Sequence, residues 1–331
     1  MKTPALALPF VIGVILLGIV SGSTDGTPPH VTRSLALGPA SAAPLAKPIA
    51  DAQSAASAGC TRAGSAYAAG TVVRTLESGW WTRSYRVHVG ASAKPGQPMP
   101  VVLSFHGRGG SGAAIEGYSG LLPVSDREGF LLVSPDGLGS PAGWGAGASL
   151  PEWAVDDVQF GKDLVAAIKD TYCVDTTRIY AVGHSNGAFM ASRLACDLHG
   201  QIAAIAPVAG VYMPPEGCNS PVPVLAFHGT ADDVVPFGGG IVRGNYRYRG
   251  TEHEIAAWVA ADHCTDPVST SSLNARVVIE RHGGCARPVE LVLIKGAGHG
   301  WPGMPGTDLA SQIDTPDMIW NFLKEFRSSA Q

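Results

Sequence analysis

The sequence has little charge and no excess of basic residues. Charged side chains make up 15% of its 331 residues, and 23 Lys and Arg stand against 27 Asp and Glu. Because proteins that bind nucleic acids carry a basic face, this composition argues against a nucleic-acid partner. Internal repeats and CxxC pairs, the usual mark of a zinc knuckle, are also missing. An apolar content of 45% argues against a disordered chain. We expect a folded monomer without metal or cofactor.

Long hydrophobic runs are absent except at the N-terminus. Residues 5–20 are apolar after Met1 and Lys2, and small and polar residues follow. This run has the length of a secretory signal core and falls short of the roughly 20 residues that span a bilayer. We therefore predict a signal peptide at 1–23, an extracellular protein and no integral membrane domain. An uncleaved membrane anchor is the alternative.

Residues 24–59 lack both aromatic residues and a helical or strand period, and they are rich in Ala, Ser and Pro. Such a stretch buries too little apolar surface to offset its ordering entropy, so we predict a disordered linker. All six cysteines lie beyond it, at positions 60, 173, 196, 218, 264 and 285. In an exported protein this distribution indicates up to three disulfides within one domain, 60–331. Buried free thiols for at least one pair are the alternative.

Short apolar runs alternate with helical patterns across 60–331. The predicted strands are 71–78 and 82–89 as an antiparallel pair, then 100–105, 130–134, 178–182, 202–208, 222–227 and 289–294. The predicted helices are 155–172, 188–198, 252–261 and 316–327. This alternation is typical of a mostly parallel sheet covered by helices on both faces. We therefore predict a single domain of the α/β class.

One short motif connects a predicted strand to a predicted helix. Residues 183–187 read GHSNG, which matches the GxSxG nucleophile elbow. In that elbow a sharp turn exposes the serine, and the flanking glycines keep side chains clear of it. We predict that Ser185 is a nucleophile; a serine in an ordinary structural turn is the alternative.

A serine nucleophile needs a base, and the base needs an acid that orients it. In α/β-hydrolases the acid and then the histidine follow the serine, each after a strand. The strand at 222–227 leads into a loop with Asp232, and the strand at 289–294 leads into a loop with His299. We predict Asp232 as the acid and His299 as the base. Asp233 is the alternative acid.

Three other histidines compete with His299. His263 and His282 fall near a helix end and in a loop flanked by cysteines, which favours surface roles. His228 opens its loop, so we expect it to contact backbone groups there.

The oxyanion of a tetrahedral intermediate needs hydrogen-bond donors. The backbone N–H of Asn186, next to the nucleophile, is one candidate. The loop at 106–112, HGRGGSG, resembles the HGGG-type oxyanion loop, and it makes the Arg108 N–H the second candidate. A phosphate cradle is the alternative, but the Lys-Ser/Thr of a P-loop does not follow these glycines.

Several segments carry a resemblance to a known family. They are HGRGGSG at 106–112, SPDG at 134–137, VDDVQF at 155–160, VDTTRIYAVGHSNGAFM at 174–190, AAIAPVAG at 203–210, HGTADDVVPFGGG at 228–240 and GAGHGWPG at 296–303. The chain resembles the secreted esterases that include polyhydroxybutyrate depolymerases and feruloyl or acetylxylan esterases. The resemblance implies an α/β-hydrolase catalytic domain and favours Asp232 over Asp233 as the acid.

The resemblance also bears on substrate binding and on the disulfides. It places Trp301 beside the catalytic histidine, on the acyl-pocket wall or in the core. We expect further substrate contacts from the loop at 138–151, which contains Trp144, and from the insert at 238–251. The resemblance suggests a Cys264–Cys285 bridge. The other four cysteines admit three pairings, of which we favour Cys196–Cys218, leaving Cys60–Cys173.

The expected function is therefore a secreted serine esterase acting through an acyl-enzyme. Its partner would be an ester substrate: a short-chain, hydroxyalkanoate, feruloyl or acetyl ester. Two alternatives use the same fold. One is an acyltransferase with the same triad, and the other is a catalytically silent surface-binding protein.

Overall fold

A ten-stranded sheet forms the centre of the protein, in the order β1-β2-β4-β3-β7-β8-β9-β14-β13-β12. The structure is a computed structural model, and it describes residues 55–61, 67–147, 156–242, 246–304 and 313–329. The predicted signal peptide and residues 24–54 of the predicted linker lie outside these ranges. Among the described residues, no helix is long and apolar enough to cross a membrane.

The sheet strands and two small two-stranded sheets have the following bounds. They are β1 Gly70–Ser78, β2 Trp81–Val89, β3 Met99–Phe105, β4 Leu131–Pro135, β5 Leu138–Gly139, β6 Ala142–Gly143, β7 Val174–His184, β8 Ala204–Val208, β9 Val224–Gly229, β10 Gly240–Val242, β11 Tyr246–Tyr248, β12 Ser269–Ser272, β13 Val277–His282 and β14 Val289–Ile294. The helices are α1 Gly112–Ser119, α2 Leu121–Glu128, α3 Asp157–Thr171, α4 Asn186–Asp197, α5 Thr251–Ala261 and α6 Thr315–Leu323.

The six central strands run parallel, in the sheet order β4, β3, β7, β8, β9 and β14. Antiparallel strands flank them on both sides. Every residue of β3, β4, β8 and β9 is buried, which explains their nearly continuous apolar sequences. One apolar cluster includes side chains of α3, α4 and α5, and a second includes those of α1, α2 and α6. The predicted α/β architecture, with helices on both faces, is confirmed.

The sequence did not predict helices α1 and α2, strands β12 and β13, or the short strands β5, β6, β10 and β11. Both helices have only eight residues, and Gly120 separates them with a φ of 72°. Strand β12 reads STSS and is fully exposed, so it shows no apolar alternation. The prediction that His282 lies in a loop is wrong, because His282 is the last residue of β13, paired with Val289 of β14.

All three predicted disulfides are present: Cys60–Cys173, Cys196–Cys218 and Cys264–Cys285. One cysteine of each bridge precedes a parallel strand, with Cys173 before β7, Cys218 before β9 and Cys285 before β14. The bridges therefore lie toward the edge of the sheet where the parallel strands begin. We call the opposite edge, where these strands end, the carboxyl edge.

Candidate active site

Ser185 forms a sharp turn between β7 and α4, at the carboxyl edge. Its φ of 57° and ψ of −118° are unusual for a residue with a side chain, which makes this a strained turn. The flanking glycines are required sterically. A Cβ on Gly183 would lie 2.0 Å from the Gly187 carbonyl oxygen, and a Cβ on Gly187 would lie 2.0 Å from the Phe105 carbonyl oxygen. The Ser185 N–H donates to the Val208 carbonyl at 2.8 Å, so the neighbouring strand supports the turn.

Asp232 and His299 meet because they follow adjacent parallel strands, β9 and β14. The distance from His299 Nδ1 to Asp232 Oδ2 is 2.8 Å. The other carboxylate oxygen of Asp232 accepts the N–H groups of Val234 and Val235, each at 2.9 Å. Asp232 is 5% exposed, whereas Asp233 is exposed to solvent. The structure therefore pairs the predicted base with the buried carboxylate of the two.

Asp232 keeps its negative charge despite being buried. Burial raises the pKa of Asp232, but hydrogen bonds from His228 and His299 outweigh that effect and hold the pKa well below its ordinary value. His228 Nε2 also lies 2.9 Å from the Val235 carbonyl oxygen, so this histidine contacts loop backbone as expected. The result is a fixed negative charge behind His299.

The sequence did not reveal two of the aromatic residues near His299, His184 and Tyr118. The ring of His184 stacks on that of His299, with centroids 5.3 Å apart and planes 24° apart. The Tyr118 hydroxyl lies 3.2 Å from His184 Nδ1. Burial, together with the neighbouring His299, lowers the pKa of His184 to about 3. The only sequence signal for His184 is its place inside the GxSxG motif.

The predicted oxyanion residues lie on two sides of Ser185. Asn186 is the first residue of α4, directly after Ser185, so its backbone N–H lies next to the predicted nucleophile. The loop with Arg108 passes close by, since a Cβ on Gly107 would lie 3.4 Å from Ser185 Cβ. The side chain of Asn186 binds the backbone of Trp144. Its Oδ1 accepts the Trp144 N–H at 2.7 Å, and its Nδ2 donates to the Trp144 carbonyl at 3.1 Å.

The prediction that Trp144 contacts substrate is wrong for its side chain, which is fully buried. The indole packs against Phe105 and Phe160, and its Nε1–H donates to the His106 carbonyl at 2.8 Å. Trp144 therefore supports the oxyanion loop from inside the core. Large aromatic side chains stabilise folds strongly when they are buried, and their residue type does not say which surface they face.

Trp301 is also in the core, with 3% of its surface exposed. It packs edge-on against Tyr118 and His184, at centroid distances of 5.9 and 6.3 Å. Of its two predicted positions, the structure supports the core and corrects the expectation of a pocket wall. Its indole does contribute to the aromatic surroundings of His299.

The insert at 238–251 is described except for residues 243–245. Tyr248 is buried, and its hydroxyl donates to the Val211 carbonyl at 3.1 Å. Arg249 pairs with the buried Glu254 at 2.8 Å. These two side chains stabilise the insert. Residues 148–151, the end of the predicted substrate loop that contains Trp144, lie outside the described ranges.

No family model matches the chain. Among curated proteins, it is 31% identical to Feruloyl esterase B of Piromyces equi over 231 residues, 66% of this chain and 42% of the relative. It is 28% identical to Feruloyl esterase C of Emericella nidulans over 251 residues, 72% of this chain and 83% of the relative. A third relative, from Nocardia uniformis subsp. tsuyamanensis, is 36% identical over 178 residues, 51% of each chain. The chain thus spans about half the length of the first and third of these relatives.

Among solved structures, the protein is similar to an acetyl xylan esterase from Aspergillus awamori. The TM-score is 0.57 at 15% identity, over 77% of this chain and 99% of that chain. At this identity the likeness concerns the fold alone. Together with the strand order and the positions of Ser185, Asp232 and His299, it shows that the chain has the α/β-hydrolase fold.

Proposed function

We propose that the protein is a secreted serine carboxylic-ester hydrolase that works through an acyl-enzyme intermediate. The main support is the 2.8 Å contact between His299 and Asp232. The ring of His299 also stacks on that of His184, the residue before Ser185. Ser185, His299 and Asp232 thus lie at one edge of the sheet, which supports their assignment as nucleophile, base and acid of a serine triad. The three disulfides support an oxidising, extracellular compartment.

In this mechanism His299 takes the proton of the Ser185 hydroxyl while the serine oxygen attacks the ester carbonyl. The N–H groups of Arg108 and Asn186 stabilise the oxyanion. His299 then gives its proton to the leaving alcohol, and the acyl group remains on Ser185. A water molecule, deprotonated by His299, attacks this acyl-enzyme and releases the acid. Asp232 orients the imidazole and stabilises its cationic form at both steps.

The proposed substrates are esters of plant cell walls, with feruloyl or acetyl groups. Two relatives named feruloyl esterases support the feruloyl esters, and the motif resemblance supports the acetyl esters. Hydroxyalkanoate esters, the substrates of polyhydroxybutyrate depolymerases, are the second proposed class, on the motif resemblance alone.

The test is hydrolysis by the purified protein of p-nitrophenyl acetate, methyl ferulate, acetylated xylan and hydroxybutyrate oligomers. We expect turnover of the acetyl and feruloyl esters, covalent labelling by an organophosphonate, and loss of both in Ser185→Ala. Acyl transfer to added sugars in preference to water would instead indicate an acyltransferase. Failure to react with the organophosphonate would indicate a catalytically silent protein.

A further inference from the structure

The oxyanion loop begins with His106, a completely buried histidine. Both of its ring nitrogens face backbone groups. The distance from Nε2 to the Gly137 backbone nitrogen is 2.9 Å, and the distance from Nδ1 to the Gly107 carbonyl oxygen is 2.7 Å. A backbone N–H only donates and a carbonyl only accepts. The ring therefore accepts at Nε2 and donates at Nδ1, which requires a neutral imidazole with its proton on Nδ1.

The surroundings of His106 preserve this form. Burial lowers the pKa of His106, although its hydrogen bond to Gly107 acts in the opposite direction. Protonation would remove the acceptor that Gly137 needs. The Trp144 indole holds the His106 carbonyl and packs against the ring at a centroid distance of 5.0 Å. Ring orientation and protonation state are thus fixed together.

The carbonyl that His106 contacts belongs to the same peptide group as the Arg108 N–H. In a planar trans peptide, the carbonyl and the N–H point in opposite directions. The Gly107 carbonyl accepts a second hydrogen bond, from the Gly110 N–H at 2.9 Å. Fixing the Gly107 carbonyl in this way fixes the direction of the Arg108 N–H.

The same hydrogen bond explains a glycine of the HGRGGSG motif. A Cβ on Gly110 would lie 3.0 Å from the Gly107 carbonyl oxygen and 3.2 Å from His106 Nδ1. Any side chain at position 110 would therefore press on the contact between these two atoms. Both the histidine and this glycine serve one carbonyl group.

We infer that His106 is a positioning residue for the oxyanion site: by donating from Nδ1 to the Gly107 carbonyl, it aims the Arg108 N–H at the oxyanion. It does not touch the substrate. The inference rests on the proposed ester hydrolysis and adds to it a neutral histidine with a defined tautomer. A merely structural role is the competing explanation, in which the contact from Nε2 to Gly137 anchors the loop.

Two conservative variants separate these explanations. In His106→Asn, the side-chain amide nitrogen can take the place of Nδ1 and keep the donor to Gly107. In His106→Gln, the longer side chain reaches the place of Nε2 and keeps the acceptor for Gly137. Losing one oxyanion donor costs about 100- to 1,000-fold in kcat. We expect a loss of about 100-fold in kcat for His106→Gln and about tenfold for His106→Asn, with KM within about threefold for both.

The assay is p-nitrophenyl acetate hydrolysis, after thermal unfolding has shown that the variants are folded. An inactive wild-type protein would contradict the proposed function itself. An active wild type with His106→Gln equal to or better than His106→Asn would overturn the positioning role alone. NMR of the wild type, labelled with 15N-histidine, tests the inference without any variant. We expect a proton on Nδ1 and none on Nε2 of His106 at pH 7, and a protonated Nε2 would overturn the inference.

Discussion

The two sides of Ser185 are stabilised by different kinds of chemical group. On the base side, a buried carboxylate, Asp232, stands behind His299 at 2.8 Å. On the oxyanion side, Arg108 follows a neutral histidine, and backbone dipoles and an indole N–H hold the loop. Each side has the polarity that ester cleavage requires, because positive charge develops on the histidine and negative charge on the oxyanion. A full charge supports the first side and oriented dipoles support the second.

The largest expected effect breaks the base side. Asp232→Asn removes the charge behind His299 with little change in shape, and loss of the acid lowers kcat by about 10,000-fold in a serine triad. Asp233→Asn is the matched control, because Asp233 is exposed; its kcat should stay within about tenfold of the wild type. The measurement is kcat for p-nitrophenyl acetate. A larger loss in Asp233→Asn would reassign the acid.

The next effect concerns the covalent support of the base side. Cys285 precedes β14, the strand that leads to His299, and its bridge to Cys264 closes a loop with a sequence separation of 21. Removing this bridge by the double change Cys264→Ala and Cys285→Ala should lower the free energy of unfolding by about 3 kcal/mol on the loop-entropy account.

We expect the activity of this double variant at 25 °C to stay near that of the wild type and to be lost on heating before the whole fold unfolds. Residual activity and circular dichroism, followed on one temperature ramp, test this order. Coincident loss of both signals would show that the bridge does not brace the base side in particular.

The third effect is the pH dependence of stability that arises from His184, beside His299. The folded-state pKa of His184 is lowered to about 3 from an ordinary value of 6.5. Between pH 6.5 and 3, His184 is protonated in the unfolded chain but neutral in the folded protein. The free energy of unfolding therefore falls as the pH drops from 6.5 toward 3. Because the side chain keeps some solvent contact, we expect a loss of about 1 kcal/mol at pH 5 from this group.

His184→Gln, which cannot be protonated, should unfold at a temperature that varies less between pH 7 and pH 5 than that of the wild type. The stability that Asp232 contributes is lost at lower pH, below its ordinary pKa of 3.8, because its folded-state pKa is lowered. Differential scanning calorimetry over pH 4–8 separates the two. Equal slopes for wild type and variant would mean that His184 titrates normally.

The smallest effect is on the oxyanion side. Trp144→Phe removes one N–H donor to the His106 carbonyl, at 2.8 Å, and preserves most of the packing. Such a hydrogen bond is worth about 1 kcal/mol, so we expect kcat to fall by about threefold to tenfold with KM unchanged.

Trp301→Phe is the matched control for Trp144→Phe. The Trp301 indole nitrogen is buried without a hydrogen-bond partner in the part of the chain that the structure describes, so its loss should cost less. A larger fall in kcat for Trp301→Phe would show that the indole ring, and not the hydrogen bond, matters beside the active site.

The parts of the site that could be predicted from sequence are those fixed by chain order. Ser185, Asp232 and His299 each follow a recognisable buried strand, and parallel strands bring their ends to one edge. The orientation of Trp144 could not be predicted, because it depends on which side chains converge around the indole. The tautomer of His106 depends on Gly137, which is distant in sequence and whose N–H direction is set only in the folded loop. The fully exposed β12 shows no pattern at all.

The positions of the disulfides separate the part of the molecule that should be kept in protein engineering from the part that can be redesigned. Each covalent bridge lies toward the edge where the parallel strands begin, and the triad, the oxyanion loop and the small sheets β5–β6 and β10–β11 follow the ends of the strands. Function in such folds resides in loops grafted on a common frame. We therefore expect that the exposed residues 139–141, at the turn between β5 and β6, can be exchanged to change substrate preference, while Trp144 and the cross-linked frame are left unchanged.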